Sequence, residues 1–393
     1  MKVAVIGPKG LPAKQGGIEH HCSEVYPRMV AQGTSVVLFA RSSYTNFPWF
    51  QRYDYEGVEV VNLPSLWLRG IDAFISSLLG SVSVCLGQYN IVHFHALGPA
   101  LFCWLPKLVP FVKKPKIVVT CQGLDWQRAK WGKFSSTLIR LGERSAALFA
   151  DEITVVSRDL EAYFWQTYQR KTVYIPNAPA SYSDSDPDFK FGTSLGLESG
   201  KYIVFLGRLV PEKRPELLIE AFKQLDEKGD WKLVLVGGVS DTSSYQRELV
   251  QRAEQSQNIV FAGELRGKLL AEIVRGAGLF ALPSDLEGLP LAMLEAMREG
   301  VPILASDILA HRQLLGNDRG ILFQAGNLSS CVEKMQFSLG NLEQLSSMAI
   351  NAKKHVAEHY TWEKVTTENL DVYSTLLALN SREDIPRETV TRA

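Results

Sequence analysis

Short apolar runs alternate with longer amphipathic segments along the first half of the chain. The apolar runs are rich in Val and Ile and end at Gly, Asn, His or Ser, which is typical of buried strands. Segments long enough for crossover helices lie between several of them, for example residues 19–32 and 138–150. Alternating strands and helices predict a parallel sheet that is covered on both faces. The predicted strands are KVAVIG, SVVLFA, VEVVNL, NIVHFH, KIVVTC and EITVVS.

The same alternation restarts in the second half, after a polar and turn-rich stretch with the composition of a linker. A chain of 393 residues is also longer than one hydrophobic core usually serves. We therefore predict an α/β protein of two Rossmann-like parallel-sheet domains that face a central cleft. The predicted divisions are 1–178, a linker at 179–200, 201–360, a helix at 361–380 and a flexible tail at 381–393. The second set of predicted strands is YIVFLG, KLVLVGG, NIVFAG, LFALPS, PILAS and GILF.

The charge pattern narrows the class of partner. The 42 Lys and Arg balance the 42 Asp and Glu, which argues against a nucleic-acid-binding protein. Residues 1–180 nevertheless carry about 19 Lys and Arg against about 12 Asp and Glu. A basic first half suits an anionic partner, such as a phospholipid surface or a pyrophosphate-linked acceptor. A chance imbalance on a solvated surface explains the numbers equally well.

The cysteines and the apolar stretches indicate in which cellular compartment the protein works. The 5 cysteines form no CxxC pair, which suits a reducing cytoplasm. The N-terminal MKVAVIGPKG enters a strand at once, so we expect no signal peptide. The most apolar stretch, Ala96 to Val112, is broken by prolines and shorter than the roughly 20 residues of a membrane span. We expect a buried or interfacial helix there, and a cytoplasmic protein for which peripheral contact with the inner face of the membrane is the less favoured alternative.

Two glycine clusters follow the first predicted strand. Gly7-Pro8-Lys9-Gly10 and Gly16-Gly17-Ile18-Glu19 lie between that strand and the first predicted helix. Glycines let the backbone approach a ligand closely, and a helix N-terminus offers unpaired N–H groups to an anion. The spacing differs from GxGxxG, so a dinucleotide fingerprint is absent. A tight turn without a ligand is an equally good interpretation.

Cations follow the strand YIVFL in the second half. Arg208 and Lys213 lie beyond the strand end and before a helix predicted at 215–227. Two cations at such a place neutralise a diphosphate. They also lower the barrier when a leaving nucleoside diphosphate gains charge. Taken alone, exposed loop cations without a ligand are the better interpretation.

A pair of glutamates gives the strongest signal. The segment Glu287-Gly288-Leu289-Pro290-Leu291-Ala292-Met293-Leu294-Glu295 follows the strand LFALPS and opens a helix. Backbone N–H groups at that helix start would form a phosphate site. Glu295, about one turn in, is placed to accept hydrogen bonds from vicinal ribose hydroxyls, and Glu287 is placed to face a sugar. The alternative is an acid that the helix dipole favours without any ligand.

Two histidines follow the strand NIVHFH. His93 and His95 alternate along the strand, so both are expected on one face. His95 is the better candidate for a catalytic position at the cleft. For either residue, a satisfied structural histidine is the larger expectation.

Taken together, these motifs resemble the retaining glycosyltransferases of family 4, which have the two-domain GT-B fold. Two glutamates with seven residues between them follow Gly-Arg and Glu-Lys-Arg, and the resemblance covers almost the whole chain. It includes Gly16-Gly17-Ile18-Glu19, Ile175-Pro176-Asn177-Ala178 and the closing helix after Tyr360-Thr361-Trp362. The segment Gly123-Leu124-Asp125-Trp126, with Arg128, Lys130 and Trp131, is similar to a subgroup that includes rhamnosyltransferases.

The resemblance implies a role for each motif of the second domain, which would bind the nucleotide-sugar donor. Arg208 and Lys213 hold the diphosphate, Glu295 holds the ribose, and Glu287 orders the donor sugar. Amides of the 288–291 segment cradle the distal phosphate. The resemblance also implies that configuration is retained, that the leaving diphosphate acts as the base, and that no metal or other cofactor is required.

For the first domain the resemblance implies acceptor binding. Gly16 and Gly17 lie near the diphosphate or the acceptor, which would be a glycan or a lipid-linked molecule of polysaccharide or cell-envelope biosynthesis. The last helix crosses back to this domain. Many enzymes of the family that the chain resembles carry a His that contacts the donor sugar, and this chain has Gln122 at that position. Glutamine can hydrogen-bond a hydroxyl but does not exchange protons near neutral pH.

Two other functions stay open, and the difference at Gln122 suggests the first of them. A sugar-nucleotide-binding protein with weak or no turnover would keep the donor site and lack transfer. A non-hydrolysing sugar-nucleotide epimerase can share the two-domain architecture, although the spacing of Glu287 and Glu295 favours transfer.

Overall fold

The computed structural model describes residues 1–13, 16–65, 71–108, 114–127, 132–226, 229–238, 243–254 and 256–383. The chain divides into two compact units. The first comprises Met1–Asn177 together with the C-terminal segment from Trp362, and the second comprises Ala178–Thr361. Each unit contains its own parallel sheet, which confirms the α/β class and the prediction of two Rossmann-like sheets.

The described residues of the first unit form an eight-stranded sheet. Its strands are β1 (Lys2–Ile6), β2 (Ser35–Arg41), β3 (Arg52–Tyr55), β4 (Val58–Leu63), β5 (Ile91–His95), β6 (Lys116–Cys121), β7 (Glu152–Val155) and β8 (Val173–Tyr174). They lie in the order β3-β4-β2-β1-β5-β6-β7-β8, and all pairs are parallel except β3 with β4. The six predicted strands are confirmed, because side chains buried on both faces give continuous apolar runs. The two strands that were not predicted, β3 and β8, are short and lie at the sheet edges.

Helices cover both faces of this sheet. They are α1 (Gly17–Ala31), α2 (Ser42–Thr45), α3 (Ile71–Cys85), α4 (Leu105–Leu108), α5 (Lys133–Phe149), α6 (Arg158–Tyr168) and the C-terminal helix (Trp362–Glu383). The C-terminal helix packs against α1, and Arg28 Nε donates to Glu363 Oε1 across that contact at 3.1 Å. The end of the chain therefore completes the first unit.

The single helix expected between Ala96 and Val112 does not form. The described part of this stretch contains a short 3₁₀ helix, Pro99–Phe102, and the single turn α4, while residues 109–113 lie outside the described residues. Proline lacks the backbone N–H that a continuous helix needs and clashes with the preceding turn. The stretch is therefore segmented, and the expectation of one buried or interfacial helix is wrong.

The second unit contains a parallel sheet of six described strands. They are β9 (Tyr202–Leu206), β10 (Lys232–Val236), β11 (Ile259–Gly263), β12 (Leu279–Leu282), β13 (Ile303–Ser306) and β14 (Ile321–Phe323). Their order is β11-β10-β9-β12-β13-β14. Each corresponds to a predicted strand, and β9, β10, β12 and β13 are almost completely buried.

The helices of the second unit begin before its first strand. They are α7 (Lys190–Ser194), α8 (Pro215–Lys223), α9 (Ser243–Ala253), α10 (Gly267–Arg275), α11 (Leu291–Glu299), α12 (Leu309–Leu315), α13 (Leu328–Gly340) and α14 (Leu342–His359). The amide of Gly192 in α7 donates to Glu272 Oε1 at 2.9 Å, and the ring of Phe189 stacks on Tyr202. The polar stretch before β9 is therefore attached to the second unit.

The strand order reverses at one neighbouring pair in each sheet, β1 with β5 and β9 with β12. In open parallel sheets, ligands bind beyond the carboxyl ends of the strands at such a point. The glycine clusters follow β1, the cations follow β9, and the glutamate segment follows β12. The topology thus places the predicted motifs at the switch points.

Candidate functional site

The second unit brings the cation loop and the glutamate segment together at its switch point. Arg208 and Lys213 lie in the loop after β9, and Glu287 lies in the loop after β12. The main-chain N–H of Asp285 donates to the carbonyl of Glu212 at 2.9 Å, which ties the two loops to each other. The contact is possible because β9 and β12 are neighbouring parallel strands, so both loops leave the sheet at the same edge.

Lys213 and Glu287 form an ion pair in a mostly enclosed position. Lys213 Nζ donates to Glu287 Oε1 at 2.6 Å, and the hydroxyl of Ser284 donates to the same oxygen at 2.8 Å. Burial by itself would raise the pKa of Glu287, but the Lys213 ammonium, the Ser284 hydroxyl and the nearby His311 outweigh it and hold the pKa below its ordinary value. Glu287 is therefore ionised at neutral pH.

Glu295, the second acid, has the opposite environment. The hydroxyl of Tyr182 donates to Glu295 Oε2 at 2.8 Å, and the backbone of Ala180 contributes another hydrogen bond. Burial raises the pKa of Glu295 to about 7, because these hydrogen bonds and the charge of Arg298 compensate only part of the desolvation. Two acids of one segment therefore differ in protonation, which is typical of acids with separate tasks in a site.

The start of α11 adds positive potential to the same place. Pro290, the residue before α11, makes no side-chain capping hydrogen bond to the helix. The first N–H groups of a helix have no partner inside it and favour an anion. Gly288 and Leu289 lead into this turn and Leu291 begins it. The helix start is therefore an available phosphate site by its geometry.

Arg208 differs from its basic neighbour Arg214. Arg214 is held by Asp285 at 2.8 Å and by Glu216 at 2.6 Å. Within the part of the chain that the structure describes, the half-buried Arg208 guanidinium has no ion-pair partner. A planar cation without a protein counter-charge is suited to bidentate binding of phosphate oxygens.

His311 lies beside this site, although the sequence did not single it out. Its Nδ1 lies 2.9 Å from the carbonyl oxygen of Ser306, and burial lowers its pKa to about 4. The ring is therefore neutral at neutral pH. Because Nδ1 donates to the carbonyl, Nε2 carries the lone pair, and among the described residues it has no hydrogen-bond partner. A single histidine in an amphipathic helix does not by itself indicate a functional site. The same holds for Tyr182, which lies in a polar stretch.

In the first unit, Gly16 and Gly17 lie where α1 begins. Gly16 has a φ of 104°, and a Cβ at this position would overlap the carboxylate of Glu19. Glu19 Oε1 accepts the backbone N–H of Lys9 at 2.9 Å, which joins the glycine loop to the helix start. The loop thus has a structural need for glycine, and its contact with a ligand stays a prediction.

Gln122 follows β6 and contacts a residue far along the chain. Asn177 Nδ2 donates to Gln122 Oε1 at 2.7 Å, and Asn177 Oδ1 lies 2.7 Å from His21 Nδ1. Asn177 and His21 are buried. The motif Ile175-Pro176-Asn177-Ala178 contributes to the family resemblance, but nothing in it predicts this contact.

His95, the candidate for a catalytic position, lies in a buried cluster of the first unit. His93 and His95 do share one face of β5, and their rings stack with centroids 4.3 Å apart. His95 is 0% exposed, its Nε2 lies 2.6 Å from the hydroxyl of Tyr26, and burial holds its pKa well below the usual value. On the same face, the hydroxyl of Tyr373 in the C-terminal helix lies 2.5 Å from His93 Nδ1. The burial of His95 favours a structural role, but its Nδ1 has no hydrogen-bond partner among the described residues, so the ring is not fully satisfied and a catalytic role stays a prediction.

The predicted rhamnosyltransferase-like subgroup depends partly on Arg128, Lys130 and Trp131, which lie outside the described residues. In the described ranges no helix is both long and apolar enough to cross a bilayer. Nor do His, Cys, Asp and Glu side chains of these ranges form a group that could hold a metal ion.

Both halves of the chain match known families. The family model described as "Glycosyl transferases group 1" matches residues 190–355, and the one described as "Glycosyl transferase 4-like domain" matches residues 16–178. The D-inositol 3-phosphate glycosyltransferase of Jonesia denitrificans is 26% identical, over 91% of this chain and 91% of that protein.

Solved structures give the same result for the fold. Sucrose-phosphate synthase from Thermosynechococcus elongatus has a TM-score of 0.80 at 19% identity, covering 96% of this chain and 99% of that chain. Anabaena HepE in complex with UDP-glucose has a TM-score of 0.76 at 16% identity, covering 95% of this chain and 100% of that chain. These similarities over nearly the whole chain confirm the GT-B fold.

Proposed function

The chain belongs to the glycosyltransferases, and we propose that it moves a sugar from a nucleoside-diphosphate sugar to a hydroxyl group of a glycan or lipid-linked acceptor, with retention of configuration. The observation that carries this proposal is the site in the second unit. There the loop that carries Arg208 and Lys213 is hydrogen-bonded to the loop that leads into α11, Lys213 pairs with Glu287, and α11 carries Glu295, whose pKa is shifted in the opposite direction.

The positive groups suit the diphosphate of the donor. As the bond between the anomeric carbon and the phosphate oxygen breaks, negative charge develops on the leaving diphosphate. Arg208, Lys213 and the first amides of α11 would stabilise that charge more strongly in the transition state than in the bound donor. The complex of HepE with UDP-glucose supports a donor of this chemical class.

The two acids suit the neutral parts of the donor. Glu295, when ionised, would accept hydrogen bonds from the ribose hydroxyls in exchange for the one from Tyr182. Glu287, already ionised, would accept hydrogen bonds from hydroxyls of the transferred sugar. Neither role needs a covalent nucleophile, so the protein contributes positioning and electrostatics.

Retention would follow if the leaving diphosphate takes the proton of the acceptor hydroxyl on the face from which it departs. The acceptor oxygen then bonds to the anomeric carbon on that same face. This step rests on the family resemblance, as does the expectation that no metal is required. Transfer in the presence of a chelator tests the latter.

The acceptor is proposed to be anionic or membrane-borne. The basic balance of residues 1–180 supports this, as does the relative from Jonesia denitrificans, which is named for a phosphorylated inositol. All five cysteines are free thiols, in keeping with a reducing cytoplasm. A rhamnosyl donor remains one specific option, supported by residues 123–126 of the segment noted above.

Peripheral membrane contact is supported by the outer face of α5. Phe134, Leu141 and Leu148 follow each other at seven-residue spacing, which keeps them on one face of a helix. They are 77%, 43% and 75% exposed. Soluble proteins rarely leave three large apolar side chains in a row on a helix unless the face meets a partner.

The charges of α5 favour a bilayer with anionic lipids as that partner. The exposed charged residues of the helix are Lys133, Arg140 and Arg144, all of them cations. Its one acid, Glu143, is buried and accepts the Trp126 Nε1–H at 2.9 Å. An apolar stripe flanked by cations is the arrangement of interfacial helices.

The decisive experiment is incubation of the purified protein with UDP-glucose, GDP-mannose or dTDP-rhamnose. We expect binding of one donor by calorimetry, and release of its nucleoside diphosphate when phosphorylated polyols or lipid-linked glycans are added. NMR of the product would show the anomeric configuration, and an inverted linkage would refute retention. Binding without release points to the non-enzymatic alternative, and an epimerised donor without acceptor points to the epimerase.

A further inference from the structure

The loop between α2 and β3 leaves three aromatic side chains in solvent within four residues. Phe47, Trp49 and Phe50 are 40%, 61% and 63% exposed. We call residues 46–51 the aromatic loop. Its sequence, Asn-Phe-Pro-Trp-Phe-Gln, contains no charged residue. Soluble proteins seldom leave large apolar side chains grouped on the surface unless they bind something, so the loop is a candidate binding surface.

The aromatic loop lies at the carboxyl edge of the first sheet. It follows β2 and α2 and returns to the end of β4, where the Phe50 N–H donates to the Asn62 carbonyl at 2.6 Å. The neighbouring β1 ends at the glycine loop 7–10 on the same edge, and the Arg41 N–H at the end of β2 donates to the Lys9 carbonyl at 2.8 Å. The aromatic loop is therefore next to the region where parallel sheets bind their ligands.

One buried side chain holds the aromatic loop at both ends. Asn62 is 0% exposed, and its Oδ1 accepts the hydroxyl of Thr45 at 2.5 Å. Its Nδ2 and its backbone N–H both donate to the Gln51 carbonyl, at 3.1 Å and 2.9 Å. Phe50 has a φ of 62°, a left-handed conformation that is rare for a bulky residue. Such conformations persist where the surrounding structure enforces them, and they concentrate at functional sites.

Two of the three rings are left for a ligand. The ring of Phe47 packs on Tyr53 with centroids 4.7 Å apart, and the Tyr53 hydroxyl donates to the carbonyl of Leu11. In the part of the chain that the structure describes, Trp49 and Phe50 stack on no other ring. Side chains that are ordered before binding lose little entropy when a ligand arrives. The loop thus presents Trp49 and Phe50 in a fixed, exposed position.

The composition of the aromatic loop selects the chemistry of its ligand. One face of a pyranose ring carries C–H groups, and the electron-rich face of an aromatic ring attracts them. Exposed amide side chains at both ends of the loop, Asn46 and Gln51, can bind sugar hydroxyls as donor and as acceptor. A neutral sugar requires no counter-charge, and the loop offers none. Aromatic faces flanked by uncharged hydrogen-bonding groups therefore match a neutral glycan.

Other occupants match the loop less well. An interfacial membrane site carries cations beside its apolar residues, as α5 does, and the aromatic loop has none. A second copy of this chain that added to the sheet edge at β3 would meet Arg52 and Asp54, both exposed. Charged residues on an edge strand protect it from such pairing.

We propose that the aromatic loop is a carbohydrate-binding site in which Trp49 and Phe50 stack on a neutral sugar ring of the acceptor glycan. This proposal rests on the proposed function in so far as the bound glycan is the acceptor of the transfer. A glycan on a phosphate-bearing lipid carrier has a charged part and a neutral part, and the aromatic loop takes the neutral part.

Direct binding tests the site without turnover. The full-length protein is applied to an array of neutral oligosaccharides of glucose, galactose, mannose and rhamnose, and the strongest ligand is then titrated by calorimetry. We expect Trp49→Ala and Phe50→Ala each to weaken that ligand about tenfold, which corresponds to loss of one stacked ring. Trp49→Tyr keeps a ring and should retain most of the affinity. Absence of binding by the wild-type protein, or equal binding by Trp49→Ala, would overturn the proposal.

Trp165→Ala is the matched control. Trp165 is another exposed tryptophan of the first unit, 48% exposed on α6, and its removal should leave the glycan affinity unchanged. A loss equal to that in Trp49→Ala would mean unspecific adhesion to exposed tryptophans and refute the site. Because the Trp49 side chain is exposed, Trp49→Ala should keep the wild-type melting temperature. If Trp49 instead mediates flotation with vesicles or dimerisation, and no glycan binds, the loop belongs to a membrane or to a second copy.

Transfer kinetics separate this site from the proposed function. With the bound glycan as acceptor, Trp49→Ala should raise the KM of the acceptor about tenfold and leave the Kd of the nucleotide-sugar unchanged. Glycan binding at Trp49 without transfer from UDP-glucose, GDP-mannose or dTDP-rhamnose would refute the proposed function and keep the carbohydrate site. Transfer with an acceptor KM that Trp49→Ala does not change would keep the function and refute the site.

Discussion

Lys213 Nζ lies 2.6 Å from Glu287 Oε1, so a cation from the loop after β9 and an acid from the loop after β12 neutralise each other in a mostly buried position. The pair fixes the position of the Lys213 ammonium. A diphosphate that approaches Lys213 therefore meets a charge that is already oriented, and little reorganisation is needed.

Removing one member of this pair should destabilise the fold. In Lys213→Met, Glu287 is left as an uncompensated charge whose side chain is only 12% exposed, and loss of about 3–5 kcal/mol is expected. Urea unfolding measures this change. Lys213→Met combined with Glu287→Gln should recover most of the lost stability while activity stays low. An equal loss in the single and double variants would contradict a charge effect.

The affinity for the donor should depend on pH through Glu295. Its pKa is raised to about 7, so the acid is protonated below that pH and loses acceptor capacity for the ribose hydroxyls. We expect the affinity for UDP-glucose to fall as the pH decreases below about 7. Calorimetry from pH 5.5 to 8 would measure this, since the diphosphate of a nucleotide-sugar has no proton that titrates in this range.

Glu295→Gln supplies the control for that titration. It should bind the donor equally at all pH values, more weakly than the protein with ionised Glu295 by roughly 1.5–3 kcal/mol, and thus give a flat profile. Tyr182→Phe removes a hydrogen bond that lowers the pKa of Glu295, so the midpoint should move to higher pH. A wild-type profile that is as flat as that of Glu295→Gln would show that Glu295 does not contact the donor.

Arg208→Ala should reduce turnover more than donor binding. Its guanidinium has no counter-charge among the described residues. Its contact with the diphosphate would therefore strengthen as negative charge develops there in the transition state. We expect kcat to fall at least tenfold with a smaller change in the Kd of the donor. Arg266→Ala, an exposed cation paired with Glu264, is the matched control and should leave both unchanged. A loss confined to donor binding would place Arg208 in ground-state recognition instead.

The face of α5 should determine attachment to anionic vesicles. Replacing Phe134, Leu141 and Leu148 by Ser removes the apolar stripe, and flotation with phosphatidylglycerol vesicles should then fail. Leu86→Ser, which changes another highly exposed leucine of the first unit, should leave flotation intact. If the wild-type protein does not float but forms dimers that the triple variant lacks, the face is an interface between copies of this chain.

The alternation of apolar and polar positions determined the sheets. Strands buried on both faces leave continuous Val- and Ile-rich runs, and all twelve runs became strands. The edge strands β3 and β8 and the helix boundaries were less well specified, since exposed strands share no such pattern. The apolar composition of residues 96–112 predicted one helix. The prolines in this stretch, which the sequence also shows, interrupt that helix.

Only tertiary packing decided which side chains of the site meet. The spacing of Glu287 and Glu295 could be read locally, but their opposite pKa shifts depend on Lys213, 74 residues from Glu287, and on Tyr182, 113 residues from Glu295. In the same way, the sequence placed His93 and His95 on one face of β5, while the cover of α1 and the C-terminal helix made that face interior. Burial patterns are local because each strand must hide its own apolar surface, whereas charge and hydrogen-bond partners come from segments that only the folded chain brings together.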